Sequence, residues 1–379
     1  MLNGFEKINF VFEDPYLIMK KEKSKGKRII GVTPMYFPQE LVRAAGALPV
    51  ILQASKEPVT LGFHHYYHFF CGLTRGIVDQ ALKGKLDFLD GFILSDMCFE
   101  MRHIADPLRR ANPFPIIYIQ WPLEADEKRW QNFIVKRLEK CAGQLEALLG
   151  TKITDRDMED SIAIYNENRA LLRRIYDLRK SKPAIMTAKE MSALVISSMV
   201  MPVEENNAVL SELIPELEKR EIQDRAGVNL FLSGHLCHEV KEGILDLIET
   251  AGGIVVGDDI YAGFRYYSTD ISLDAPPLDA FARYYLDSAV PCPTRVEYNK
   301  DWADYLIKSV KGHSAKGIII ILAKNCEPQM IYYPYLKSQL VSAEVPHILI
   351  EVEHEMVSTE GIRTRIQAFI EMLREKGEF

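Results

Sequence analysis

Short, evenly apolar runs alternate with amphipathic stretches along most of the chain. Residues 28–33 and 48–52 read as strands, and between them 39–45 carries helical spacing that stops at Gly46. A helix follows over 72–86, with Ile77, Ala81 and Leu82 on one side. Two further strands come from the run that starts at Gly91 and from 116–119. The middle of the chain changes character. Residues 130–149, 154–179 and 188–221 are amphipathic with little strand signal, and Asp157, Glu159 and Asp160 sit in the first turn of the second stretch. Strand patterns return at 228–232, 253–256, 317–322 and 347–351, and the helix 359–374 closes the chain. Strands that alternate with helices predict parallel sheets covered on both faces. The expected architecture is α/β, with two Rossmann-like parallel-sheet domains at 1–150 and 223–379 joined by a helical segment at 151–222.

Two parts of this pattern repeat each other. The apolar run from Gly91 leads to Cys98, then to a polar helical stretch, then through Pro115 into the run 116–119. The run from Gly317 leads to Cys326, then to a helical stretch, then through Pro346 into the run 347–350. Each half is strand, cysteine, helix, strand. In open parallel sheets ligands gather in the crevice outside the carboxyl ends of the strands, so both cysteines are expected at that edge. Thiolates there suit soft iron, and Cys71, at the positive end of the helix that starts at residue 72, is the candidate for a third point of attachment. A single cysteine after a strand is more commonly a small buried hydrophobe; the repeated setting is what favours a shared metal cluster.

Composition narrows the classes. With 379 residues and 47% hydrophobic content the chain can build two cores. There are 46 lysines and arginines against 53 aspartates and glutamates, a net charge of −7. The only basic run, 20–28, reads as a solvated face, so nucleic acid is not an expected partner. No apolar stretch is long enough to span a bilayer and the N-terminus lacks a secretion pattern, which leaves the cytoplasm as the expected location. Six cysteines at wide, irregular spacings read as free thiols or ligands rather than a disulfide frame.

The segments 31–34, 38–41 and 44–46, then 89–91 leading to Cys98, 257–259 with Arg265, and 326–328 with 363–365 carry a likeness in order and spacing. The chain resembles the catalytic subunits of the family uniting 2-hydroxyacyl-CoA dehydratases with ATP-dependent benzoyl-CoA reductases, from about residue 31 to 371. That resemblance implies one [4Fe-4S] cluster held by Cys71, Cys98 and Cys326, with one iron left open. Such an iron can take an exogenous ligand, whereas a cluster held entirely by cysteine mainly passes electrons. Cys141, inside an amphipathic helix, and Cys292, between two prolines, read as structural. Cys237, flanked by His235 and His238, is a candidate fourth ligand.

Asp258, Asp259 and Arg265 form the second polar constellation, also just after an expected strand. Two carboxylates and an arginine could orient a thioester or move a proton; a tight turn and helix cap accounts for them equally well. His64, His65 and His68 with Cys71 offer a rival zinc reading, although residues 63–70 are aromatic at nearly every position and zinc motifs show tighter paired spacings.

Neither a phosphate loop nor a Gly-x-Gly-x-x-Gly fingerprint is present, so ATP is expected only on a partner protein. The resemblance implies two partners, a second related catalytic subunit and an iron-sulfur ATPase that activates electrons. Their aryl-CoA or acyl-CoA thioester substrate is reduced near the bottom of the range clusters reach, about −700 mV. Likeness of 96–107, 201–206, 259–265 and 346–355 to the smaller catalytic subunit favours benzoyl-CoA reductase, giving a cyclic dienoyl-CoA. The alternatives are the beta subunit of a 2-hydroxyacyl-CoA dehydratase and an electron-relay or scaffold subunit.

Overall fold

The computed structural model of the chain describes residues 4–54, 57–67, 69–112, 114–221, 227–234, 243–287, 289–297, 299–353 and 358–375. Among the described residues eight strands form two all-parallel sheets of four. One contains β1 (Ile29–Val32), β2 (Leu48–Ile51), β3 (Gly91–Asp96) and β4 (Ile116–Gln120), in the order β2-β1-β3-β4. The other contains β5 (Val228–Gly234), β6 (Gly253–Asp258), β7 (Gly317–Ala323) and β8 (His347–Val352), in the order β6-β5-β7-β8. The fold is α/β. Adding four to each strand number of the first sheet gives the second, so the repeat read around the two cysteines extends to whole-sheet topology.

Successive residues of the inner strands point to opposite sides, and both sides are packed. Ile29, Phe92 and Leu94 enter one core, while Ile30, Val32 and Ile93 enter another. In the second sheet Leu230, Leu232, Ile319 and Ile321 face one core, and Phe231, Ile318 and Ile320 the other. This two-faced burial explains why the strands read as unbroken apolar runs rather than alternating ones.

Equivalent details recur between the halves. The Phe92 N–H donates to Pro115 O, and the Ile318 N–H to Pro346 O, both at 2.9 Å. Gly91 and Gly317 open β3 and β7; a Cβ would stand 2.7 Å from Leu148 Cδ2 at the first and 2.9 Å from Phe369 Cζ at the second. The absence of a side chain lets a helix lie close to each strand start.

The helices follow the amphipathic stretches with small shifts in their ends. Gly72–Leu82 stops before the expected residue 86, where Gly84 turns into the left-handed region at φ 69. Glu127–Leu149 starts earlier than expected because the Asp126 side chain accepts from the Arg129 N–H as an N-cap. Asp155–Ser181 opens on a capping box between Thr154 and Asp157. The stretch 188–221 divides into Ala188–Val200 and Val203–Lys219 at Pro202. Asp155–Ser181 touches both halves: Ser161 Oγ donates to Glu40 O at 2.8 Å and Arg169 pairs with Glu40 at 2.8 Å, while Arg179 pairs with Asp258 at 3.6 Å.

Candidate functional site

In both sheets the winding reverses between the two central strands, β1 and β3 in one, β5 and β7 in the other, which makes the crevice at their carboxyl ends the topological switch point. Cys98 lies two residues past the end of β3, and Cys326 three past the end of β7. Asn325, in the left-handed region at φ 66, makes the turn that delivers Cys326, a conformation asparagine tolerates well. Cys71 arrives from a different direction, at the end of the aromatic segment after β2. All three cysteines occupy the N-cap position of a helix: Gly72–Leu82, Phe99–Arg102 and Glu327–Ser342. Together they line one open cavity, with Glu100, Glu327, Thr294 and Met101.

Glu100 ties two of these elements together, since the Cys71 N–H donates to its Oε2 at 2.7 Å. Cys98 Sγ accepts from the Met101 N–H at 3.5 Å, and Cys71 Sγ lies 3.6 Å from Thr74 Oγ1. Helix N-termini favour thiolates, yet burial wins and pushes the Cys98 and Cys326 thiols up to about 12. Cys71 is also pushed well up, by burial first and then by Glu100 and Cys98. Cys326 is pushed up by burial first, and the neighbouring Cys98 and Glu100 add to this. Glu100 is itself raised, by burial and by Glu327. The cavity therefore disfavours negative charge unless a cation enters. A coordinated metal inverts that balance, because a thiol bound to it is deprotonated outright.

Among the described residues, no three His, Cys, Asp or Glu side chains are grouped closely enough to hold one metal ion. Three soft donors spread around a shared cavity suit a polynuclear centre, whose ligands sit on separate irons. His64 and His65 are exposed, in and just after the short turn Leu61–His64, and His68 lies outside the described residues. Cys237 also lies outside them. Cys141 is buried within Glu127–Leu149, and Cys292 is buried in a loop with its Sγ 2.9 Å from Thr294 Oγ1.

Asp258 and Asp259 are not in the thiol cavity. Both are buried at the end of β6 and engaged in hydrogen bonds. Asp259 Oδ2 accepts from Trp302 Nε1 at 2.6 Å and from Arg265 at 3.3 Å, and its Oδ1 accepts from the Gly234 N–H at 3.3 Å. Asp258 Oδ1 accepts from the Phe264 N–H at 2.8 Å. Burial raises Asp258 to about 6, against the opposing pull of Arg179. Arg265 also donates to the carbonyls of Val290 and Pro291 at 3.1 and 2.7 Å, and so anchors the loop that carries Cys292 and Thr294.

Beside Cys98 a second opening shares Met97, Cys98 and Thr294 with the thiol cavity. Tyr36, Phe99, Trp121 and Tyr285 give it an aromatic lining, and Asp96 paired with Arg102 at 2.9 Å gives it a polar edge. Sequence reading missed Glu100, Glu327, Thr294 and Tyr36 as neighbours of the thiols. A glutamate within two residues after both Cys98 and Cys326 was the available signal.

The family model for "2-hydroxyglutaryl-CoA dehydratase, D-component" matches residues 34–373. The chain belongs to this family. Its relatives carry both kinds of name. The (R)-phenyllactyl-CoA dehydratase beta subunit of Clostridium sporogenes is 28% identical over 371 residues, 97% of this chain and 98% of that one. A benzoyl-CoA reductase subunit of Thauera aromatica is 25% identical, covering 93% of each chain. The lactoyl-CoA dehydratase beta subunit of Anaerotignum propionicum is 29% identical, covering 92% of each. Family members are thus named as subunits of enzymes acting on acyl-CoA thioesters. Among the described residues no helix is long and apolar enough to cross a membrane.

Proposed function

We propose that this family member is the iron-sulfur subunit of an aryl-CoA-reducing complex, with Cys71, Cys98 and Cys326 holding a [4Fe-4S] cluster. The single observation that carries the reading is the convergence of three helix N-caps, each a cysteine, on one cavity at the switch point of two sheets. When bound, such a cluster supplies electrons one at a time at low potential. The chain's own residues supply the rest. Cys98 and Cys326 come from rigid strand ends, which fixes two attachment points, and Glu100 holds the Cys71 backbone against the Cys98 helix. Leu73, Met97 and Met101 keep water scarce around the thiols.

The aromatic opening beside Cys98 is the place for the acyl group. Tyr36, Phe99, Trp121 and Tyr285 suit an aryl ring, and the Asp96–Arg102 pair marks where polar atoms of the thioester would lie. Asp258, Asp259 and Arg265 act by positioning: their network sets the loop that carries Thr294 to the cavity wall. ATP and the electron source belong to a partner iron-sulfur ATPase, and the complex is completed by a second, related catalytic chain. A dehydratase beta subunit is the second reading, favoured by the names of the phenyllactyl-CoA and lactoyl-CoA relatives. Incubating the anaerobic complex with ATP, reductant and either benzoyl-CoA or a 2-hydroxyacyl-CoA separates them. Formation of a cyclic dienoyl-CoA supports reduction; turnover of the hydroxy substrate alone overturns it.

A further inference from the structure

Thr294 is buried where the thiol cavity and the aromatic opening meet, and it lines both. Its Oγ1 lies 2.6 Å from the Tyr36 hydroxyl and 2.9 Å from Cys292 Sγ. Tyr36 and Cys292 in turn line a third, open cavity, together with Gln39, Glu40 and Arg265. Three groups that each carry an exchangeable proton therefore connect the third cavity to the thiols. Burial pushes the Tyr36 phenol well up, and the neighbouring Cys292 adds to this, so the ring keeps its proton at rest. The Arg295 guanidinium lies over the Tyr36 and Tyr285 rings, 5.1 Å from each centroid. Met35 and Tyr36 are consecutive non-glycine residues in the left-handed region, at φ 67 and 62. Such a turn is held by its surroundings rather than by backbone preference, and strain of this kind collects at functional sites.

We propose that Thr294 Oγ1 is the proton donor facing the aromatic opening, that Tyr36 resupplies it from the third cavity, and that Cys292 holds Thr294 in place. The inference rests on the aryl-reducing reading. For each electron delivered by a low-potential iron-sulfur donor protein, the ring gains one negative charge. The Thr294 O–H bond breaks as a C–H bond forms on the ring. Tyr36 passes its proton to Thr294 Oγ1, and a water in the third cavity reprotonates Tyr36, leaving hydroxide for the bulk buffer. The transfers are concerted, so neither an alkoxide nor a phenolate accumulates in the buried wall. Two electrons and two protons give the cyclic diene.

The test uses the complex assembled anaerobically from wild type, Thr294→Val, Thr294→Ser or Tyr36→Phe chains, with benzoyl-CoA as probe. Iron and sulfide are measured on each preparation before kcat, KM and the solvent deuterium isotope effect. Thr294→Val is expected to keep its iron and sulfide and its KM while kcat falls about 100-fold, and Thr294→Ser to recover most of that loss. Tyr36→Phe is expected to lose about tenfold and to change the isotope effect. A readout without turnover is the infrared S–H band of Cys292, assigned by its disappearance in Cys292→Ala. It should move in Thr294→Val; a band that stays put removes the contact on which the relay depends. Wild-type turnover by Thr294→Val overturns the relay alone, whereas a wild-type preparation without iron overturns the functional reading on which it rests.

Discussion

Cys71, Cys98 and Cys326 line one cavity, each at the N-cap of its own helix. Replacing Cys98 or Cys326 with serine should abolish cluster retention, measured as iron per chain after anaerobic purification, because a hard hydroxyl replaces a soft thiolate on a separate iron. The same change at Cys141, buried in a helix away from the cavity, should leave iron content as in wild type. Asp258 offers a second residue-level test. Its value near 6 in the folded chain lies above the ordinary 3.8, so the folded state binds the extra proton between about pH 4 and 6. Stability from this group is therefore present below about pH 4 and lost as pH rises through 6, by roughly 3 kcal/mol. Urea unfolding at pH 4.5 and 7 should show about 2 kcal/mol of this loss in wild type and less in Asp258→Asn; identical pH dependence in both would contradict the assignment. At this scale the placements of Cys98 and Cys326 were legible in the sequence because strand ends mark the crevice. Thr294 and Tyr36 were not, since their meeting spans 258 positions and no local pattern encodes it.

Strand β7 carries Cys326 to the cavity, and its path depends on Gly234 at the end of β5. Gly234 pairs with Ile321 at φ 146, and a Cβ there would collide with the Ile321 carbonyl. Gly234→Ala should push β5 and β7 apart, lowering unfolding free energy by about 3 kcal/mol and iron retention with it. Gly312→Ala, where a Cβ meets nothing within 4 Å, serves as the comparison and should keep its iron. Most elements were readable because apolar runs and amphipathic spacing differ clearly in period. Helix ends were less so: the start of Glu127–Leu149 is set by the Asp126 cap, four residues ahead of the first apolar residue, Trp130. The tight turn that the sequence offered after Asp258 and Asp259 is present as Tyr261–Arg265, where the Arg265 N–H donates to Ile260 O and the Phe264 N–H to Asp258 Oδ1.

Over the whole molecule, two sheets of identical strand order place their switch points so that Cys98 and Cys326 face one cavity, and Asp155–Ser181 bonds to both halves. Repeat topology was foreshadowed by the strand, cysteine, helix, strand order in the sequence. Which face each sheet would turn toward the other was not, because it is fixed by long-range pairs such as Arg169 with Glu40 and Arg179 with Asp258. The shared cavity is the feature on which the functional reading depends. Iron and acid-labile sulfide analysis of anaerobically purified wild-type chain tests it most directly. About four of each per chain, falling to near zero in Cys98→Ser, is the expected result. Iron-free wild-type protein with Cys71, Cys98 and Cys326 all open to alkylation on unfolding would contradict it.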